Sequence, residues 1–327
     1  MNIPRLALSA LVISAPFSLV VACSNGASQA PPLALNGTNG VRLGEHRPWM
    51  APGVKKKNLL YVSEGYIGGS DSYVLVYSYP DGKLLGTLTG FDDPEGLCVD
   101  KKGNIFVANY QGSDILEYAY GGTAPIETLN EPGNSPFDCA VDPKTGNLAV
   151  ANIYAGTQGG NVAIYSKAKG TSKLYSDPEI SAMFYCAYDN DGNLYVDGEL
   201  VGSPSAFGFA ELAKGSSTFT NISLNHSIAY AGGVQWDGKY VAIGDSDTSE
   251  IDQFSISGSN ATLEGSTLLN GTNAVNQFWI RGPKVTAPDV SAGTIMSWDY
   301  PAGGNPTKTI SGLAHPNGSA VSMAKDR

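Results

Sequence analysis

The residues most able to do chemistry stand in short turns. Glu95 lies between Pro94 and Gly96, and Asn317 between Pro316 and Gly318, each just ahead of an apolar stretch. Asn276 occupies the corresponding place before "QFWI", and His315 precedes the Pro-Asn-Gly turn. One carboxylate and two amides are oxygen donors, and an imidazole beside them could shuttle a proton. The same place holds Phe137, Phe184 and Gly232 in other parts of the chain, so three polar residues are followed by an aromatic pair. Pro-Glu-Gly and Pro-Asn-Gly are also ordinary turn compositions, which suffices to explain them without any chemistry.

These positions correspond because the chain repeats. "GLCVDKKGNIFVAN" at Gly96–Asn109 returns as "DCAVDPKTGNLAVAN" at Asp138–Asn152, as "YCAYDNDGNLYVDG" at Tyr185–Gly198 and as "GGVQWDGKYVAIGD" at Gly232–Asp245. Aligned on the Asp that closes the first apolar run, the copies place Asp100, Asp142, Asp189 and Asp237 in register, and "QFWIRGPKVTAPD" puts Arg281 there. Two further strand candidates follow each pair, as in "DILEYAY" and "APIETL". Four strands repeated about every 45 residues predict the blades of a β-propeller. The start of the array, "NLLYVSEG", lacks a first strand, and "PNGSAVSMAKDR" at the end supplies one. The expected fold is therefore all-β: a six-bladed β-propeller of four-stranded blades over 58–327, closed by pairing the C-terminal strand with the N-terminal blade. The 40 Gly and 19 Pro among 327 residues suit an architecture rich in tight turns.

The phrase "PEGLCVDKKGNIFVANYQGSDILEY" resembles an NHL-type repeat, and the six-blade count resembles the gluconolactonase and regucalcin-like propellers. The resemblance implies a central channel bordered by each inner strand, with the residue before that strand at the mouth. In gluconolactonase-like enzymes the divalent-metal ligands include Glu, Asn and Asp placed just before the Gly of an inner strand. This carries a ligand role onto Glu95 and Asn317, with Asn276 beside them, for Ca²⁺ or Mg²⁺. Such a metal would polarise a lactone carbonyl and acidify a bound water, with His315 moving the proton. Phe137, Phe184 and Gly232 depart from a full ligand set. They leave an aromatic arc, with Phe137 and Phe184 at the channel mouth.

A second set, Glu64, Asn109, Asn152, Asp197 or Gly198, Asp245 and Pro288, ends the second strand of each unit, where Asp and Asn are expected to brace the turn into the third strand. "GDSDTSE" at Gly244–Glu250 has the carboxylates of a calcium loop without the EF-hand spacing. No G-x-S-x-G elbow, P-loop or H-E-x-x-H motif occurs, and there are only three His. Cys98 lies one residue out of phase with Cys139 and Cys186, which would let Cys98 and Cys139 meet between adjacent blades; three separate thiols is the other reading.

The first residues read as a secretory signal over 1–22, with Val20-Val21-Ala22-Cys23 resembling a bacterial lipobox and Cys23 the lipidation site. Residues 23–57 read as a lipidated cysteine and flexible tether, in which Trp49 either docks on the propeller or stays free. Ser24 after the cysteine points to the outer membrane. The net charge of −10, with no dense basic run beyond Lys55–Lys57, argues against nucleic acid. The expectation is a monomeric, lipid-anchored envelope propeller that binds a protein partner or small ligand at its channel mouth without catalysis. The alternative is a metal-dependent hydrolase of lactones or related esters.

Overall fold

The repeated Asp explains the local fold. Asp100 Oδ1 accepts the backbone N–H groups of Lys102 and Asn104, both at 2.8 Å, and closes the turn between the first two strands of its blade. Asp142, Asp189 and Asp237 do the same for Lys144, for Asp191 to Asn193, and for Lys239 and Tyr240. Each is an Asx-type turn, in which the side chain replaces a backbone acceptor. Blade six has Arg281 instead, and there a Gly-Pro hairpin pairs Arg281 directly with Lys284.

A computed structural model describes residues 47–65, 72–156 and 159–324. The signal segment 1–22, Cys23 and the tether as far as residue 46 lie outside the described residues, as does the chain end at 325–327. Six antiparallel sheets form the blades of a β-propeller. The inner strands are Pro316–Ser322 in blade one, Pro94–Val99 in two and Asn134–Val141 in three. Those of blades four, five and six are Ile180–Tyr188, Ala231–Trp236 and Trp279–Arg281. The ring closes where Pro316–Ser322 pairs with Leu59–Glu64, with Leu59 opposite Ser322 and Tyr61 opposite Ala320. Apolar clusters fill the wedges between blades; Trp298 is fully buried between blades five and six, its indole N–H donating to the Asn270 carbonyl at 3.1 Å.

Strand pairing begins at Trp49, ahead of the Asn58 from which the propeller was expected to start. Trp49–Met50 forms a fifth strand on blade one, opposite Thr87 and Gly86, and Ala51 N–H donates to Leu85 O at 2.7 Å. Val54 then buries its side chain ahead of the exposed Lys55–Lys57. Unpaired edge groups of the outer strand are thus satisfied by the incoming chain. Cys98 and Cys139 are joined as a disulfide between the inner strands of blades two and three, with Cα atoms 5.6 Å apart, and Cys186 is a buried free thiol.

Candidate functional site

A β-bulge sits at the start of the inner strand in five blades. Glu95 and Gly96 fall between the pairs Pro94–Asn109 and Leu97–Val107, so two residues oppose one. Asn317 and Gly318 oppose Ser63, Phe184 and Tyr185 oppose Asp197, and Gly232 and Gly233 oppose Gly244. In blade three the irregularity falls at Phe137, between the pairs Asp138–Ala151 and Pro136–Asn152. A bulge bends the strand and re-aims a side chain, and here it does so at the mouth of the ring. The glycines permit the next blade to approach. A Cβ on Gly96 would stand 2.7 Å from the Phe137 carbonyl, and one on Gly318 would stand 2.5 Å from the Glu95 carbonyl.

The aromatic arc is continuous. Phe137 meets Phe184 edge-to-face at 5.5 Å and Tyr110 at 6.5 Å, and Phe184 meets Tyr230 at 5.9 Å. Tyr154, 55% exposed, adds a phenol within electrostatic reach of Tyr110 and Tyr230. Glu95 lies among these groups. Its carboxylate accepts no hydrogen bond from the described residues, and desolvation, reinforced by Asp93, pushes its pKa well above the usual carboxylate range.

Below the mouth the axis is closed by a residue that the repeat alignment passed over. Gln277, next to Asn276, reaches across the channel. Its Oε1 accepts Leu97 N–H at 3.1 Å and Ser319 N–H at 3.0 Å, while its Nε2 donates to Leu97 O at 3.0 Å and to Asp138 Oδ1. One side chain therefore ties blade six to blades one, two and three. Asp138 Oδ2 accepts Cys186 N–H at 3.1 Å, linking blade four. Burial pushes the Asp138 carboxyl up to about 7, opposed by the Cys186 and Cys139 amides and by Gln277. Asp197 accepts Tyr185 N–H at 2.9 Å through one oxygen, and its other oxygen is buried without a partner. Burial drives its pKa upward. Polar residues inside otherwise apolar runs, "FDCAV" and "NQFWI", were the signal for this network.

The second-strand set mainly builds the mouth. Glu64 accepts the amides of Ala314 and His315, Asn109 that of Asp92, Asp197 that of Tyr185, and Asp245 those of Ala229 and Tyr230. These reach backward to the loop before the inner strand, not only forward to the third strand as expected. In blade six the residue that acts is Asp289, one beyond Pro288, accepting from Asn273 N–H at 3.0 Å. Asp245 of "GDSDTSE" accepts the backbone amides of Ala229, Tyr230 and Asp247.

The suggested metal set fits a divalent cation poorly. Glu95, Asn317 and Asn276 bring one carboxylate and two amides, and no cluster of three or more His, Cys, Asp or Glu side chains occurs among the described residues. Calcium takes six to eight oxygens, and magnesium is held by carboxylates and water, so this is a thin donor set. Asn317 Nδ2 instead lies with Asp93 against Gly65, where a Cβ would stand 2.4 and 2.6 Å from them. The His315 side chain is exposed, and its backbone N–H is the part that bonds Glu64.

On the far side of Gln277 the channel opens into a cavity of about 450 Å³. Val99, Val141, Tyr188, Trp236, Ile280 and Met323 line it, one from each blade. Trp236 and Trp279 border this cavity while also packing against the apolar clusters between blades.

No protein-family model matches the chain. Over 114 residues it is 31% identical to peptidyl-glycine alpha-amidating monooxygenase A of Xenopus laevis, a stretch of 31% of this chain and 12% of that protein. The chain thus spans about an eighth of that relative's length. Among solved structures it is similar to a chain of a nidogen/laminin complex, with a TM-score of 0.67 and 10% identity over 82% of this chain and 100% of that one. A candidate 6-phosphogluconolactonase from Bacteroides fragilis gives 0.54 and 13% over 83% and 99%. A protein of unknown function from Bacteroides caccae gives 0.59 and 11% over 81% and 99%. The likeness is one of fold. At such identities it says nothing of activity.

Proposed function

We propose that this protein is an extracytoplasmic propeller, anchored through Cys23, that holds a protein partner or small ligand at its channel mouth and does not transform it. The closed axis carries this reading. Gln277 and Asp138 bridge the axis beneath Glu95, so the mouth is an aromatic-walled cup in which Glu64, Asp138, Asp197 and Asp245 already serve backbone amides. Such a cup offers rigid aromatic surface for recognition. Among the described residues it brings together no cluster of three or more His, Cys, Asp or Glu side chains that would cage a metal. The solved complex of nidogen with laminin supports protein recognition as a use for this architecture. The NHL and regucalcin-like resemblance and the lipobox-like Val20–Cys23 support a single envelope propeller displayed from the outer membrane.

The hydrolase alternative draws on Glu95, which has no hydrogen-bond partner among the described residues, and on the lactonase-like neighbour. Two measurements separate the readings. A photo-crosslinking residue at Tyr154, on the mouth, should give a discrete adduct in intact cells, and one at the exposed Lys102, on the far face, should not. Adducts from neither position, or from Lys102 alone, would overturn the binding reading. Calcium- or magnesium-dependent turnover of lactones that disappears in Glu95→Ala would replace it with the hydrolase.

A further inference from the structure

The charges of the propeller are sorted by face. First and third strands run away from the mouth and second and fourth strands return. The loops before each inner strand and those between second and third strands therefore share the mouth face. By sequence these loops contain no Lys or Arg. They carry Asp92, Glu95, Glu179, Glu199 and Asp247, spread over blades two, four and five. Lysines sit on the opposite turns instead, at Lys83, Lys101, Lys144, Lys169, Lys214 and Lys239. The imidazoles on the mouth face are those of His226, whose Nε2 is 3.4 Å from Asp252 Oδ2, and His315. The far-face turns also carry Asp100, Asp142, Asp189 and Asp237, but these stand among the lysines, so the mouth is the face whose acids have no lysine or arginine beside them in its loops.

At the centre of this acidic face stand the linked rings of Tyr110, Phe137, Phe184 and Tyr230, with the Glu95 carboxylate, which accepts no hydrogen bond from the described residues, within electrostatic reach of Tyr110. Aromatic faces carry the negative end of a quadrupole, so rings and carboxylate favour the same kind of guest. We infer that the mouth takes a basic segment of a protein partner, one cationic side chain of which enters between Glu95 and the ring wall while the surrounding acids meet its neighbours. Arginine suits the position best, because a guanidinium can stack on a ring and bond a carboxylate at once. A small organic cation would need Glu95 alone. Acids that extend across three blades match a guest of several charges. The inference rests on the binding reading above and gives it a partner chemistry.

The test uses the mature chain and two synthetic dodecapeptides of glycine and serine, one carrying three arginines and the other three glutamates, read by fluorescence anisotropy. The arginine peptide should bind and the glutamate peptide should not, with affinity falling as salt is raised. Glu95→Gln should weaken binding about tenfold. Tyr154→Ala, at an exposed site that folding does not need, should weaken it about threefold. Lys101→Glu on the far face should change it less than about twofold. Binding indifferent to both mouth substitutions, or equal for the two peptides, overturns the inference. So does absence of peptide binding where the Tyr154 crosslink persists, and in that case recognition at the mouth survives with a partner that is not basic. Loss of the crosslink as well removes both.

Discussion

Asp138 makes the stability of the ring a function of pH. Its carboxyl is buried at 2% exposure and its pKa is raised to about 7. An unfolded Asp titrates near 3.9. Between those values the folded chain holds a proton that the unfolded chain releases, so the contribution is fully present below about pH 4 and is lost as pH rises through about 7. About three pH units at 1.36 kcal/mol each give about 4 kcal/mol. Glu95 and Asp197 are raised for the same reason and add to the slope with the same sign.

Asp138→Asn isolates the term. The amide can still accept from Gln277 but turns an N–H₂ toward the Cys186 N–H, a fixed cost of about 1–3 kcal/mol. Its stability should then lack this part of the slope. Relative to wild type it should gain about 4 kcal/mol between pH 4 and 7.5. At about 2–4 °C per kcal/mol for a chain of this size, the gap in Tm should move by about 8–16 °C. Calorimetric melts of both proteins at pH 4, 5.5 and 7.5 read it directly. A gap constant to within about 1 kcal/mol would refute the account of Asp138 as a carboxyl held protonated by burial.

Two further outcomes follow from the axis. Gln277→Leu removes partners from Leu97 N–H, Leu97 C=O, Ser319 N–H and Asp138 together. It should cost about 3–5 kcal/mol in urea unfolding, whereas an unimportant plug would cost under about 1. For the thiols, alkylation of denatured, unreduced propeller should modify Cys186 and leave Cys98 and Cys139 protected until reductant is added. The Cys98→Ser, Cys139→Ser pair should lose about 4 kcal/mol for a loop closed across 41 residues; three accessible thiols before reduction would contradict the bridge.

The blades were legible because their signals are local. An Asp followed within four residues by the amides it caps is a turn that a sequence states outright, and five alternating copies leave few ways to arrange the strands. The fifth strand at Trp49–Met50 was not legible, since two residues have no period and their pairing with Thr87 and Gly86 depends on an edge that exists only once blade one has formed. The disulfide stands between these cases. The phase of Cys98 against Cys139 suggested a facing pair, and the 5.6 Å Cα separation comes from how closely blades two and three pack, which Gly96 permits.

Neighbouring residues divide the site between them, and this is where reading slots by alignment reaches its end. Glu95, Phe137, Phe184 and Asn317 occupy the position thrown outward by a bulge, while Asp138 and Gln277, one residue further along, turn into the axis. A strand's faces alternate with period two, so a list that takes one residue per blade samples the mouth and misses the plug. The plug in turn fixes what the mouth can be. With a through-channel, Glu95 would face a column of water and keep an ordinary carboxylate's solvation. With Gln277 bridging Leu97, Ser319 and Asp138 beneath it, Glu95 is left on the floor of a desolvated, ring-walled cup. A carboxylate with no hydrogen-bond partner among the described residues is costly in such surroundings until a cation arrives, and the mouth loops, which by sequence contain no lysine or arginine, supply none.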